Sequence, residues 1–333
     1  MSLLGCPTQN HPKTDQLTEL QGSALGSTWC VKVLTKQIFK EDELRDEIIQ
    51  KIEDAEKIFS HWRPDSELYR FNTSENTLPF SIPQDLHDLL KHAEWMHQHS
   101  QGAFDPTLGP VVNLWGFGPP GHSRSTIPTD LQIDEALEQT GIKNVKFLPN
   151  RFIQKKVPTL QLDLSGSAKG EIIDLVCSLL DRWNFNNYLV EIGGEVRAFG
   201  KGRKGNGWLV GLENGSREPH TLASIPLRNY AVATSGTYRL NKPNPQSSRK
   251  ASHLIDPRTG HPIENTLIAV NAFAPTARDA DAWATALMIL GLKDGMKKAD
   301  ELNIVARFCE SKKEKIIISY SSAYRRLFLS ENR

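Results

Sequence analysis

Apolar residues recur every three or four positions in several parts of the chain, which is the spacing of one face of a helix. In the first such segment acidic residues also stand near the start, where the helix dipole favours negative charge. Thr276 and Asp279 resemble a capping pair at the start of another segment. The segments with helical spacing are 41–59, 86–97, 168–183 and 279–290.

Short runs of alternating apolar and polar positions, rich in β-branched residues, predict strands. These runs are 29–34, 187–192, 195–199, 208–212, 222–226, 267–274, 304–308 and 316–320. Glycine, proline and aromatic residues predict a long loop over residues 106–129. The strands come in clusters with helices between them, and this order favours an α+β fold over a regular βαβ series.

The composition is that of an ordinary soluble, globular protein. The 333 residues are 24% charged and 38% hydrophobic, which is enough for a substantial core. A net charge of +1 gives no reason to expect nucleic acid as a partner. No apolar run is long enough to span a membrane. Residues 1–20 are polar and predict a flexible tether, followed by one domain over 21–330.

The four cysteines are scattered along the chain without a C-x-x-C pair, so neither a metal site of cysteines nor a disulfide framework is expected. Cys177 lies in a helical apolar pattern and is expected in the core. Leu3-Leu4-Gly5-Cys6 is similar to the end of a bacterial lipoprotein signal without the hydrophobic region that precedes it. Cys6 is therefore either a chance N-terminal cysteine or the acylated residue of an exported protein.

Glycine, proline and aromatic residues are most concentrated between residues 102 and 118, where an aspartate, Asp105, can stand at a turn with its carboxylate directed inward. Four further motifs accompany this one. In chain order the five are Ala24–Trp29, Phe59–Leu68 with Phe71-Asn72, Gly102–Gly118, Leu162–Gly170 and Ala280–Ala286. Together and in this order they resemble the FAD:protein FMN transferases, the ApbE-like family, over about residues 22–291. The resemblance implies an ApbE-like α+β fold of mixed, mainly antiparallel sheets and packed helices, with FAD in a cleft between subdomains.

Asp281 and Thr285 are four residues apart in a predicted helix, so both side chains emerge on one face. Their oxygens are of the kind that Mg²⁺ prefers. From the spacing alone, the commoner arrangement is an exposed aspartate near a threonine whose hydroxyl hydrogen-bonds to a backbone carbonyl of its own helix. The resemblance reverses this preference, because family members bind Mg²⁺ through matching Asp and Thr residues. It also implies a backbone carbonyl ligand, which falls at Gly166.

The residues from Asp163 to Lys169 are predicted to form a strand end, a turn of small residues and a helix start. Such a turn can receive phosphate through free N–H groups, and Lys169 adds positive charge. Neither a Walker A loop nor a dinucleotide fingerprint is present. Without the family such a turn is more often structural; the resemblance makes Asp163 and Lys169 candidate contacts to FAD.

The resemblance also places several residues at the flavin nucleotide site. Trp62 stands where many members have Tyr, which preserves an aromatic face for stacking. Trp62 and Phe104 could instead be aromatic residues of the core, where such residues are more often found. Asp105 needs a partner, because it is an acid next to a buried Phe. The residues matched in this way are Leu25, Trp62, Ala103, Phe104 and Asp105.

A histidine, His253, occupies the family's His-x-x-Asp-Pro motif, and the resemblance implies that it is a base for the acceptor hydroxyl. Thr234, Ser235 and Gly236 are expected to form an adjacent nucleotide-binding turn. His61, beside Trp62, is a second but weaker titratable candidate.

The resemblance implies Mg²⁺-dependent transfer of FMN from FAD to a Ser or Thr hydroxyl of an acceptor protein, with release of AMP. The implied acceptors are exported subunits of electron-transfer complexes such as Na⁺-translocating NADH:quinone reductase. The implied location is the periplasm, with a lipid anchor on Cys6. Two alternatives stay open: a Mg²⁺-dependent FAD pyrophosphatase that yields AMP and free FMN, and a non-catalytic FAD-binding lipoprotein.

Overall fold

The computed structural model describes residues 15–119, 127–215, 223–238, 241–242, 251–312 and 315–330. In chain order the strands are β1 (Gln16–Ala24), β2 (Ser27–Thr35), β3 (Phe80–Ser81), β4 (Val145–Leu148), β5 (Phe152–Lys155), β6 (Tyr188–Ile192), β7 (Glu195–Phe199), β8 (Trp208–Leu212), β9 (Ala223–Leu227), β10 (Tyr230–Gly236), β11 (Asn241–Lys242), β12 (Ala251–Ser252), β13 (Leu267–Ala274), β14 (Val305–Lys312) and β15 (Lys315–Tyr320). The helices are α1 (Glu41–Phe59), α2 (Glu67–Thr73), α3 (Gln84–His99), α4 (Gly109–Leu114), α5 (Asp130–Leu137), α6 (Ala168–Arg182), α7 (Ala277–Glu301) and α8 (Ser322–Tyr324).

An eight-stranded sheet in the order β1-β2-β6-β7-β10-β13-β14-β15 forms the centre of the structure. Each neighbouring pair in this sheet is antiparallel. Smaller sheets pair β3-β5-β4, β8-β9 and β11-β12. The predicted α+β fold with mainly antiparallel sheets is therefore confirmed.

The main core lies between the large sheet and the helices α1, α3, α6 and α7. A second apolar cluster covers the opposite face of the sheet beneath the β8-β9 hairpin and α8. Both faces of the central strands are thus buried. Among the described residues, none of the helices combines the length and apolar character needed to cross a bilayer.

The helices predicted from apolar spacing are present as α1, α3, α6 and α7. Thr276 caps α7, because its hydroxyl accepts the N–H of Asp279 at 3.2 Å. This helix continues past the predicted end at residue 290, through a kink at Gly291 with φ of 77°. The short helices α2 and α5 were not predicted, because so few turns give little periodicity.

The loop predicted over residues 106–129 contains α4, so that prediction is wrong for Gly109–Leu114. Pro110 lies in the first turn of this helix, where a missing N–H costs nothing. Residues 120–126 lie outside the described residues.

Strand β1 was not predicted, and it begins at Gln16, before the domain boundary predicted at residue 21. It pairs with β2 along its whole length and buries Leu20 completely. Its other side chains are mostly polar because it is an edge strand with one face toward solvent. Residues 1–14, including Cys6, lie outside the described residues.

The contact between α6 and α7 is close enough to exclude any side chain at Gly170. A Cβ at this position would lie 2.3 Å from the carbonyl oxygen of Ala277. Asp174 fixes the same junction, since its carboxylate accepts the N–H groups of Ala277 at 2.9 Å and Arg278 at 3.0 Å. A carboxylate from α6 thus satisfies free donors at the start of α7 and complements its dipole.

We predict that Gly170→Ala destabilises the protein by about 1–3 kcal/mol or more, because the clash is with backbone that cannot rotate away. Helix propensity alone would favour alanine by about 1 kcal/mol. Urea unfolding followed by circular dichroism measures the difference. Gly205→Ala is the control, since a Cβ there meets nothing within 4 Å; only its left-handed φ should cost stability. An unchanged or raised stability of Gly170→Ala would contradict the packing described.

Burial raises the pKa of the Glu171 carboxyl to about 7, although Arg278 lies 3.2 Å away and favours the ionised form. Between pH 4.5 and 7 the folded protein therefore binds more protons at Glu171 than the unfolded chain does, and stability falls as pH rises. Glu171→Gln removes this loss. We predict that the variant gains stability relative to wild type from pH 5 to pH 7.5 in urea unfolding. An exposed control, Glu135→Gln, should show no such trend, and a pH-independent difference for Glu171→Gln would disprove the assignment.

Candidate active site

One cavity of about 750 Å³ brings together residues from separate parts of the chain. Its volume is in the range of small-molecule and cofactor sites. Every residue predicted for the site lines it. These are Leu25, Trp62, Ala103, Phe104, Asp105, Asp163, Gly166, Lys169, Thr234, Ser235, His253, Asp281 and Thr285. The weaker candidate His61 lines it as well.

Asp281 and Thr285 lie one turn apart on α7 and both reach the cavity. Asp281 is 4% exposed, and its Oδ2 accepts the N–H of Gly170 at 3.0 Å. The hydroxyl of Thr285 lies 3.2 Å from that of Ser235. Helix α7 and strand β10 thus bring a carboxylate and two hydroxyls to one wall of the cavity.

Gly166 lies directly against Thr285. A Cβ at Gly166 would be 3.3 Å from Thr285 Oγ1 and 3.1 Å from the ring of Phe104. A larger residue would push these side chains apart. The glycine therefore allows the backbone before α6 to approach the oxygens of α7, as a metal site shared by the two would require.

The oxygen set at this wall fits a hard cation in its chemistry. Asp281 supplies a carboxylate, Thr285 a hydroxyl and the segment at Gly166 a backbone carbonyl, all of them ligand types of Mg²⁺. In the described part of the chain, no three side chains of His, Cys, Asp or Glu group closely enough to hold a metal by themselves. The predicted set contains only one such side chain, so bound ligand oxygens and water would complete the coordination.

The sequence predicted that Asp163 ends a strand. In the structure it lies instead in an extended segment before α6. Its N–H donates to Pro106 O at 2.7 Å, and its Oδ1 accepts the N–H of Ser165 at 2.8 Å. His61 Nδ1 is 3.9 Å from the same Oδ1. The turn of small residues that leads into α6 is present as predicted. Hydrogen bonds from a side chain and from a neighbouring loop fix it, where the prediction had the hydrogen bonds of a β-sheet.

Lys169 extends into the cavity and forms an ion pair with Glu195, with Nζ 2.8 Å from Oε1. Glu195 is 2% exposed and also lines the cavity. Glu195 was not among the residues predicted for the site. A sign of its role was available in the sequence, because Glu195 follows two glycines. These glycines form the hairpin turn between two central strands, so the acid lies at the end of both strands.

Asp105 has the partner that its position required. Its Oδ1 accepts hydrogen bonds from the N–H of Thr107 at 2.8 Å and the Thr107 hydroxyl at 2.5 Å. His97 Nδ1 lies 3.4 Å from Oδ2. Phe104 is 4% exposed, belongs to the core and also lines the cavity. It is therefore both a core aromatic and a residue of the site wall, the two positions that the sequence allowed.

Trp62 is half exposed at the cavity and its ring contacts that of His61, with centroids 5.6 Å apart. It is not a core aromatic, and its free face is available for stacking. Leu25 and Gly26 form the two-residue turn between β1 and β2, with φ of 55° and 67°. Both values are those of a type I′ hairpin turn. The N–H of Leu25 donates to Glu56 Oε1 at 3.1 Å.

Thr234 and Ser235 belong to β10 and not to a turn, which corrects the sequence prediction. The strand was missed because it ends in Thr, Ser and Gly, residues that are typical of turns. Consecutive residues face opposite sides of a sheet. Ser235 accordingly contacts Thr285, whereas the Thr234 hydroxyl accepts from Asn271 Nδ2 at 2.8 Å. His253 follows β12, and its ring centroid is 6.4 Å from that of Phe117.

Comparison with known proteins identifies the class to which this fold and cavity belong. The profile of the ApbE family matches residues 25–308, and the chain belongs to this family. It is 34% identical over 331 residues to the FAD:protein FMN transferase of Vibrio cholerae, covering 99% of this chain and 96% of the relative. It is also 34% identical over 300 residues to the enzyme of that name from Salmonella typhimurium, covering 87% and 83%.

Solved structures of the family have the same fold. The flavin transferase ApbE from Vibrio cholerae superposes with a TM-score of 0.86 at 33% identity, covering 94% of this chain and 99% of that one. The apo form of the flavinyl transferase ApbE from Pseudomonas stutzeri gives a TM-score of 0.86 at 32% identity, covering 94% and 97%.

Proposed function

We propose that this protein transfers FMN from FAD to a Ser or Thr hydroxyl of an acceptor protein and releases AMP, with Mg²⁺ as cofactor. The observation that carries the proposal is the cavity that joins Asp281, Thr285 and Gly166 with Lys169 and His253. The names of the relatives agree with it, since they are FAD:protein FMN transferases. Nearly the full length of the Vibrio cholerae relative is covered.

The reaction is a displacement at phosphorus. The acceptor hydroxyl oxygen forms a bond to the FMN-side phosphorus of FAD, the bond from that phosphorus to the bridging oxygen breaks, and AMP leaves with that oxygen. His253 takes the proton of the hydroxyl, a task for which an imidazole is suited near neutral pH. Such chemistry depends on in-line positioning and charge neutralisation more than on covalent help from the enzyme.

Asp281, Thr285 and the Gly166 carbonyl would hold Mg²⁺, which when bound supplies positive charge against the diphosphate oxygens. Lys169 contributes a donor at the same wall, and its pairing with Glu195 holds the ammonium in place. Trp62 offers an exposed aromatic face to the isoalloxazine or adenine ring. The remaining predicted contacts, at Leu25, Ala103–Asp105, Asp163, Thr234 and Ser235, would enclose the rest of FAD.

The acceptor that we propose is a flavin-carrying subunit of an electron-transfer complex such as Na⁺-translocating NADH:quinone reductase. The periplasmic, lipid-anchored location stays a prediction, because Cys6 lies outside the described residues.

The proposal is tested by incubating the protein with FAD, Mg²⁺ and an acceptor domain, followed by intact-mass analysis of the acceptor and assay of AMP. We expect the acceptor to gain the mass of an FMN phosphoester only when Mg²⁺ is present. AMP with free FMN and an unmodified acceptor would instead identify a pyrophosphatase. Retention of FAD without AMP release would identify a binding protein.

We predict that Asp281→Asn lowers Mg²⁺-dependent AMP release by about 100-fold or more, because it removes the one carboxylate of the proposed metal site. The amide keeps the size of the side chain and can still accept the Gly170 N–H. The rate is measured over a Mg²⁺ titration, with Asp134→Asn on the exposed face of α5 as the control. Normal turnover by Asp281→Asn would refute the assigned metal ligand.

We also predict that His253→Asn lowers FMN transfer by about 10²–10⁴-fold, the usual contribution of a general base. Binding of FAD, followed by quenching of flavin fluorescence, should change little. His87→Asn, on α3 and outside the cavity, serves as the control. If His253→Asn transfers FMN at the wild-type rate, the acceptor hydroxyl loses its proton to another group.

A further inference from the structure

We infer that Asn72, held by the short helix α2 and the buried Lys155, is a positioning residue for the loop that carries Asp163 and Gly166. This inference rests on the proposed function, because it explains how the wall of the proposed metal and phosphate site is held. Asn72 does not line the 750 Å³ cavity and acts only through its neighbours.

The side chain of Asn72 forms two hydrogen bonds with one backbone unit. Its Nδ2 donates to Leu162 O at 2.8 Å, and its Oδ1 accepts the N–H of Leu162 at 2.8 Å. The two residues are 90 positions apart in the chain. A carboxamide thus replaces the paired N–H and C=O contacts that a neighbouring β-strand would provide.

This replacement matters because the segment at Leu162 runs outside the large sheet. On its other side, the N–H of Asp163 donates to Pro106 O, and Leu108 forms a single parallel bridge to Gln161. The segment is therefore held between Asn72 and the 106–108 loop. One residue beyond Leu162, Asp163 begins the turn that leads to Gly166, so a shift at Leu162 would be transmitted to both.

A buried lysine, Lys155, fixes the position of Asn72. Lys155 is 2% exposed, and its Nζ donates to the carbonyls of Asn72 at 3.2 Å and Ser74 at 2.8 Å. A cation at this end of α2 satisfies carbonyls that have no partner within the helix and complements the helix dipole. Burial lowers the pKa of Lys155 to about 8. Phe71, 2% exposed, packs beneath the ammonium with its ring centroid 4.8 Å from Nζ.

The other end of α2 is attached to the opposite part of the site. The Ser66 hydroxyl donates to the carbonyl of Ser60, just before His61 and Trp62, and also accepts the N–H of Tyr69 at 3.0 Å. One short helix therefore connects the loop with the exposed tryptophan to the loop with the proposed carbonyl ligand. Both of the connected loops line the cavity.

The test compares Asn72→Leu and Asn72→Asp with wild type. Leucine removes both hydrogen bonds, whereas aspartate keeps the shape and the acceptor for Leu162 N–H but places negative charge against Leu162 O. Asn76→Asp is the matched control, since it makes the same change four residues later at an exposed position.

Two readouts are used. Hydrogen exchange of a peptide over residues 160–168, measured by mass spectrometry, should rise in both variants while the melting temperature of Asn72→Asp stays near that of wild type. In steady-state assays with FAD, Mg²⁺ and the acceptor domain, kcat should fall about 10–100-fold and the Mg²⁺ requirement should increase, with a smaller change in KM for FAD, as expected for misplacement of a positioned group. Asn76→Asp should show neither effect.

Unchanged exchange over 160–168 and unchanged kcat in Asn72→Asp would overturn the inference. So would a loss of activity that follows global unfolding in both variants, which would make Asn72 a purely structural residue. Failure of the proposed function is distinguished by the wild-type protein, which would then leave the acceptor without added FMN, whereas the exchange measurement still tests the positioning role.

Discussion

The close contact between α6 and α7 is the constraint on which the candidate site depends. At Gly170 the two helices approach at backbone distance, and Asp281 accepts the Gly170 N–H. Asp174 satisfies the first donors of α7 from within α6. Because both helices are fixed at this junction, the loop before α6 must face the first turns of α7. The opposition of Gly166 and Thr285 follows from helix packing and from the absence of a side chain at two glycines.

Three acidic side chains around the cavity lie beside a lysine or a histidine. Lys169 pairs with the buried Glu195, and His97 lies beside Asp105. His61 lies near Asp163. Unpaired carboxylates would repel the diphosphate of FAD and would be costly to bury. In this arrangement the acids fix the lysine and histidine side chains beside them, and Asp281 is the carboxylate of the proposed metal site.

The long helices and most of the central strands could be predicted, whereas the short helices, the edge strand β1 and strand β10 could not. The apolar spacing of α1, α3, α6 and α7 indicated each helix, because each buries one stripe against the sheet. Strand β10 was missed because its last three residues, Thr234, Ser235 and Gly236, are of the kinds that are typical of turns. Helix α2 has fewer than two full turns, which is too short to show helical spacing. Its main contacts, through Asn72 and Lys155, join distant parts of the chain.

The family could be read from the amino-acid motifs and their order, and the comparison with known proteins confirms it. The residues that these motifs predict for the site all line one cavity. How the residues face one another depends on the packing of the elements that carry them. Strand alternation sends Ser235 toward Thr285 and Thr234 toward Asn271. Hydrogen bonds across 90 residues fix Leu162, and an ion pair gives Lys169 its orientation. Such contacts depend on distances between elements that no local pattern of polar and apolar residues encodes.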